Sequence, residues 1–152
     1  AIAELNRVLF AELKFRANTK NFHSPENSII KSVLANRRGN PISLAMVYLL
    51  IATKLKVPVF GVNLPNLFVL TYKDEVEQFY INVFNKGLIF TKRDIESYVD
   101  QLNIERREIF FNPCDSMEII KRFLRNLLGS YDKNGQKDKK EEVRNLLMLL
   151  ND

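Results

Sequence analysis

Between Pro41 and Lys56 the chain sets apolar residues on nearly every side of a helical wheel. Ile42, Leu44, Ala45, Met46, Val47 and Tyr48 are followed by Leu49, Leu50, Ile51, Ala52 and Leu55, and only Ser43 and Thr53 interrupt them before Lys54. A helix of this kind calls for protein on all sides, so the rest of the chain is expected to assemble around it. Lys54 and Lys56 cut the run short of a bilayer's thickness, and no other apolar run is longer. With 152 residues, 46% hydrophobic and 27% charged, there is material for one ordinary core but not for two.

The segments on either side supply the wrapping. Ile2, Leu5, Leu9 and Leu13 recur at helical spacing, and the charges among them (Glu4, Arg7, Glu12, Lys14) do not form the basic start and apolar block of a signal peptide. Ser24-Pro25 is a helix start, with a capping side chain and a proline suited to the first helical position. That helix is expected to bury Ile29, Ile30, Val33 and Leu34, and to end at Arg37-Arg38-Gly39, where glycine tolerates a left-handed turn. Val57 to Val62 reads as a strand. Leu67 to Tyr72 and Glu77 to Phe84 read as an antiparallel hairpin, and pairing Tyr72 with Glu77 sets Leu67 opposite Asn82.

Toward the C-terminus the pattern is helical again. Thr91 with Asp94, and Asp115 with Glu118, mark two helix starts. Ile120, Phe123, Leu124, Leu127, Leu128 and Tyr131 form an amphipathic stripe, Lys133-Asn134-Gly135 breaks it, and Val143, Leu146, Leu147 and Leu150 continue in a final helix. The expected result is a helical hairpin. The fold class is α+β.

Charge and cysteine content narrow the function. The net charge is +5 and the pI near 9.4, which raises nucleic acid as a partner. The basic residues, however, are spread over Arg37-Arg38, over Lys121, Arg122 and Arg125, and over Lys133 to Lys140, the last group interrupted by Asp138 and followed by Glu141 and Glu142. That distribution reads as solvated faces and argues against a nucleic-acid module. The single cysteine, Cys114, allows no internal disulfide and fits a reducing, cytoplasmic compartment. One histidine and one cysteine do not make a zinc site. Gly61 and Gly87 belong to no phosphate-binding pattern, so no cofactor and no metal are expected.

Several short words occur in a fixed order: Leu5-Asn6-Arg7-Val8-Leu9-Phe10, Pro25-Glu26-Asn27-Ser28, Arg37-Arg38-Gly39-Asn40-Pro41-Ile42-Ser43-Leu44-Ala45, Gly61-Val62-Asn63-Leu64-Pro65 and Phe84-Asn85-Lys86-Gly87. Together they resemble the SirB family of transglutaminase-like proteins. The resemblance implies a papain-like core, a buried central helix on a small antiparallel sheet, over residues 1–112. Residues 113–152 would form a hairpin packed on it within one globular unit. Asn126 to Tyr131 within that hairpin resembles a degenerate tetratricopeptide unit.

In enzymes of that superfamily a cysteine opens the central helix, a histidine lies on one strand and an aspartate on the next. The helix terminus lowers the thiol pKa, the imidazole takes its proton, and the carboxylate fixes the imidazole's tautomer. Carried over position by position, the resemblance sets Pro41, Leu67 and Asn82 in those three slots, and none of them transfers a proton. Ser43, near the same helix start, reads as a hydroxyl bonded to local backbone. Cys114, beside Asp115, reads as a structural thiol, and His23 as part of a helix start. The vestigial site would then be Pro41, Ser43, Leu67 and Asn82. The expected role is a non-catalytic domain that binds or scaffolds a protein or peptide. The alternative is a hydrolase or acyltransferase with a relocated active site. The sequence names neither the partner nor an oligomeric state.

Overall fold

The computed structural model describes residues 1–151. The chain begins with helix α1 (Ile2–Asn6), which runs on as a widened π turn over Arg7–Glu12 and buries Ile2, Leu5, Leu9 and Phe10. A two-residue strand, β1 (Arg16–Ala17), follows. Pro25–Ser28 forms a single 3-10 turn, and α2 (Ile30–Asn36) starts only after Ile29, whose backbone is extended. The expected single helix is therefore broken in two. Of its four predicted core residues Val33 is fully buried, whereas Ile29 and Leu34 are exposed.

Arg37 takes the left-handed conformation, with φ 59°, that Gly39 was expected to supply. Gly39 instead lies in β2 (Arg38–Gly39), which pairs parallel with β1. A Cβ at Gly39 would sit 2.5 Å from the Ser43 hydroxyl, so close packing and not backbone freedom calls for glycine there.

Helix α3 (Pro41–Lys54) is the centre of the molecule. Ile42, Ala45, Tyr48 and Ala52 are fully buried, and the Tyr48 hydroxyl donates to Asn6 Oδ1 at 2.9 Å. Full enclosure was expected, but the C-terminal end of the helix emerges: Leu50 is 62% and Leu55 61% exposed. The described residues leave this end of the helix uncovered.

A four-stranded antiparallel sheet, in the order of the chain, lies against α3: β3 (Val59–Leu64), β4 (Leu67–Lys73), β5 (Gln78–Asn82) and β6 (Leu88–Phe90). The register of β4 with β5 pairs Tyr72 with Phe79 and Leu70 with Ile81, two residues away from the expected pairing. Asp74 explains the shift. Its carboxylate accepts the Val76 and Glu77 amides and the Tyr72 hydroxyl, and its own amide donates to the Glu77 carbonyl, so the turn closes one residue later. Leu67 and Asn82 are not partners. Asn82 instead ends β5, accepting the Phe84 amide at 3.0 Å.

Because strand residues alternate sides, the sheet has two cores. Phe68, Leu70, Ile81 and Val83 pack with Ile42, Ala45 and Tyr48 of α3. Val62, Leu64, Val69 and Tyr80 pack with Ile95 and Val99 of α4 (Lys92–Gln101) and with Phe110 and Phe111. Thr91 and Asp94 cap α4 reciprocally.

Helix α5 (Ser116–Lys133) starts where the Asp115 carboxylate accepts the Glu118 amide. Its first half touches the α3 core through Ile119 and Phe123. Its second half packs Leu124, Leu127, Leu128 and Tyr131 against Val143 and Leu147 of α6 (Lys137–Leu150). Ile120 and Leu146, expected on the inner face, are exposed. Among the described residues no helix is long and apolar enough to cross a membrane.

Candidate functional site

The start of α3 is closed by side chains. Asn40 Oδ1 accepts the Ser43 amide at 2.9 Å, and Ser43 Oγ accepts the Asn40 amide at 3.0 Å and donates to the Asn40 carbonyl at 3.3 Å. Asn40 Nδ2 also donates to Ser28 Oγ at 2.8 Å. All three side chains are buried. The Ser43 hydroxyl is thus fully engaged in a capping box and points at the helix terminus. Pro41, the first helical residue, contributes no N–H and lies at the edge of a cleft of about 540 Å³.

Phe68 and Asn66 form the sheet side of that cleft, and Phe22 and His23 one end of it. The long wall is α5, which presents Arg122, Arg125, Asn126, Gly129, Ser130 and Lys133. Leu67 and Asn82 are absent from this cleft. They line a separate, shallower groove of about 370 Å³ on the α4 side of the sheet, with Leu64, Leu88 and Tyr98. The convergence of Pro41, Leu67 and Asn82 expected from the resemblance is therefore overturned. Phe68 faces α3, so by strand alternation its neighbour Leu67 faces away. The side chain across from Pro41 is an aromatic ring.

His23 is brought to the cleft although nothing local in the sequence placed it there. Lys133 Nζ lies 3.2 Å from its Nε2, and the His23 carbonyl accepts Asn134 Nδ2 at 2.9 Å, contacts that span more than a hundred residues. The Phe22 ring stands edge-on to His23 and to Phe84. The C-terminal end of α5 in this way holds the segment before the Pro25 turn in place.

The electrostatics of the α5 wall are one-sided. Arg122 is half-buried and donates to the Leu64 carbonyl at 3.0 Å and to Asn63 Oδ1. Burial lowers its pKa, and the charge of Arg125 lowers it further. Among the described residues Arg122, Arg125 and Lys133 have no carboxylate within ion-pair distance, and no Asp or Glu lines the cleft. Lys121, on another side of the helix, pairs with Glu118. The cluster read from sequence as a solvated face is in part the inner wall of a cleft.

Cys114 lies outside the cleft. Burial, and then the neighbouring Asp115 and Glu118, push its thiol up to about 11, which favours the protonated form near neutral pH. Among the described residues no group of three His, Cys, Asp or Glu side chains is arranged to hold a metal ion.

Three comparisons bear on this arrangement. A family model described as the transglutaminase-like superfamily matches residues 1–125. Human F-box only protein 21 is 29% identical over 153 residues, which is 95% of this chain and 24% of that protein. A UPF0162 protein of Xylella fastidiosa strain 9a5c is 27% identical over 155 residues, 98% of this chain and 55% of that protein. The chain thus spans about a quarter of the one relative and about half of the other. No solved structure matches it.

Proposed function

Because the chain belongs to the transglutaminase-like superfamily, we propose that it is a non-catalytic member, one that receives a protein or peptide segment in the cleft at the start of α3. The observation that carries this reading is Pro41 at the first position of α3, where enzymes of the superfamily have their thiol, beside a Ser43 hydroxyl committed to the helix cap. Phe68, on the sheet side of the cleft, is a buried aromatic ring and not a base. The finer assignment is part of the same proposal: a SirB-type protein of the cytoplasm whose α5–α6 hairpin is a degenerate tetratricopeptide-like unit docked on the core. It is supported by the order of the quoted sequence words and by the packing of α5 on both the core and α6.

Assays of the purified chain for amidase, protease and transglutaminase turnover test the reading. The expected result is no turnover above the blank, unchanged in Ser43→Ala and Cys114→Ser. The rival, a hydrolase or acyltransferase with a relocated site, is favoured by one feature, the imidazole of His23 in the cleft. Turnover that disappears in His23→Ala would establish that rival and overturn the non-catalytic reading.

A further inference from the structure

Within α5 the residues that face the cleft are spaced three, one, three, one and three apart: Arg122, Arg125, Asn126, Gly129, Ser130 and Lys133. That is one continuous stripe along a helix, and at about 1.5 Å per residue it is roughly 16 Å long. The three cations on it have no carboxylate partners among the described residues, and one of them, Arg122, is half-buried next to a like charge. Such a wall carries uncompensated positive potential along a concave surface, partly desolvated at Arg122 and solvent-exposed at Arg125 and Lys133, which attracts an incoming anion.

Gly129 supplies an independent observation. A glycine inside a helix costs about 1 kcal/mol relative to alanine. Packing does not explain it here, because a Cβ added to Gly129 would meet nothing within 4 Å. What the missing side chain leaves is an opening in the middle of the cleft wall, between Arg125 and Lys133. The helix tolerates a weak residue at the point where a ligand would need clearance.

We propose that this cleft binds an extended acidic peptide segment, with Arg125 and Lys133 reading its carboxylates at the two ends and Gly129 admitting its backbone between them. The proposal rests on the binding-module reading above and names the chemistry of what is bound. Length favours a peptide over a lone anion: the stripe matches about five residues of extended chain at roughly 3.3 Å each, whereas one phosphate spans only a turn of it and cannot reach from Arg122 and Arg125 to Lys133. The neighbouring surface favours a short acidic segment over a long polyanion, since Asp132, paired with Lys140 of α6, directly precedes Lys133 on α5. Asn126 and Ser130 supply amide and hydroxyl groups for the peptide backbone, and Pro41 and Phe22 give its side-chain stems an apolar wall. The helix terminus itself contributes little, because Pro41 has no N–H and the Ser43 amide is taken.

Fluorescence anisotropy at low salt tests this, with a dye-labelled Glu-Gly-Glu-Gly-Glu peptide and the full chain. The expected result is saturable binding that weakens about tenfold when the glutamates are replaced by glutamines, in line with the strength of charge-assisted hydrogen bonds. Arg125→Gln and Lys133→Gln should each weaken it about fivefold or more, and Gly129→Leu should block it. Lys54→Gln, which removes the same charge from the far end of α3, should change it less than about twofold. Circular dichroism melts verify that each variant is folded. Equal weakening by Lys54→Gln, or binding of inorganic phosphate or a single-stranded oligonucleotide as tight as that of the peptide, would overturn the proposal. A glutamine peptide that binds equally well and is still blocked by Gly129→Leu would overturn the acidic specificity and leave the binding module standing. No binding by either peptide would also overturn the proposal, while the reading it rests on is decided separately by the turnover assays.

Discussion

The two faces of the sheet are made from alternate residues of the same strands, yet they end in different surroundings. On the α3 side Phe68 meets Pro41 at a cleft with three cations along its wall, and the elements that close it come from positions 22, 41, 68 and 122–133. On the α4 side Leu67 and Asn82 border a shallow apolar groove whose remaining walls are the local elements β6 and α4. The lesson is that a site assembled from distant segments is found where strand parity points toward the central helix. A motif alignment that is right in order is off by one face when it is read without the pleat.

The sharpest way to break this comparison is to truncate its two neighbours. Phe68 is 1% exposed and packs under α3, and Phe68→Ala is expected to cost about 3–5 kcal/mol. Leu67 is only half-buried on the other face, and Leu67→Ala is expected to cost about 1 kcal/mol. Urea unfolding of the two variants measures both. Losses of equal size would mean that the faces are not distinguished in the way the packing indicates.

A second, smaller contrast lies in the two asparagine caps. Asn40 on the cleft side is buried, caps α3 and also holds Ser28, so Asn40→Ala is expected to cost about 2 kcal/mol. Asn82 on the groove side caps a single 3-10 turn and is half-exposed, and Asn82→Ala is expected to cost about 0.5 kcal/mol. Thermal melts read the difference as a larger shift for Asn40→Ala. A reversed order would move the anchoring point of the fold from the cleft to the groove.

Much of this was legible in the chain because it is local. The apolar run at Pro41, the β4–β5 hairpin, the cap at Thr91 and the stripe from Phe123 to Tyr131 each declare themselves within one turn or one strand. The late turn at Asp74 was not legible, since it depends on the hydrogen bonds of one carboxylate, and the break at Ile29 was not, since the turn before it is tied by Asn27 and Ser28 to residues 18–22 and to Asn40. The short strands β1, β2 and β6 are set by pairing partners and carry no periodicity of their own. For the site, parity says that Leu67 and Phe68 point opposite ways, but only the packing of α3 tells which one faces it. His23 reaches the cleft through contacts with the far end of α5, which no local pattern announces. Arg122 looked like an ordinary surface residue because its partial burial comes from β3, through the Asn63 side chain and the Leu64 carbonyl.

A last expected effect, also small, has the opposite sign. Gly39 and Gly129 both lie near the cleft, and a sequence alone treats them alike. At Gly39 a Cβ would strike the Ser43 hydroxyl at 2.5 Å, whereas at Gly129 it would meet nothing within 4 Å. Gly129→Ala should therefore raise stability by about 0.5–1 kcal/mol, since alanine restricts the unfolded chain and favours the helix without a clash. A rise in melting temperature for Gly129→Ala, together with weakened peptide binding, would show that α5 gives up stability at a point where the cleft needs room. A fall in melting temperature would mean that the backbone at this position is held by packing after all, and the opening between Arg125 and Lys133 would lose its significance.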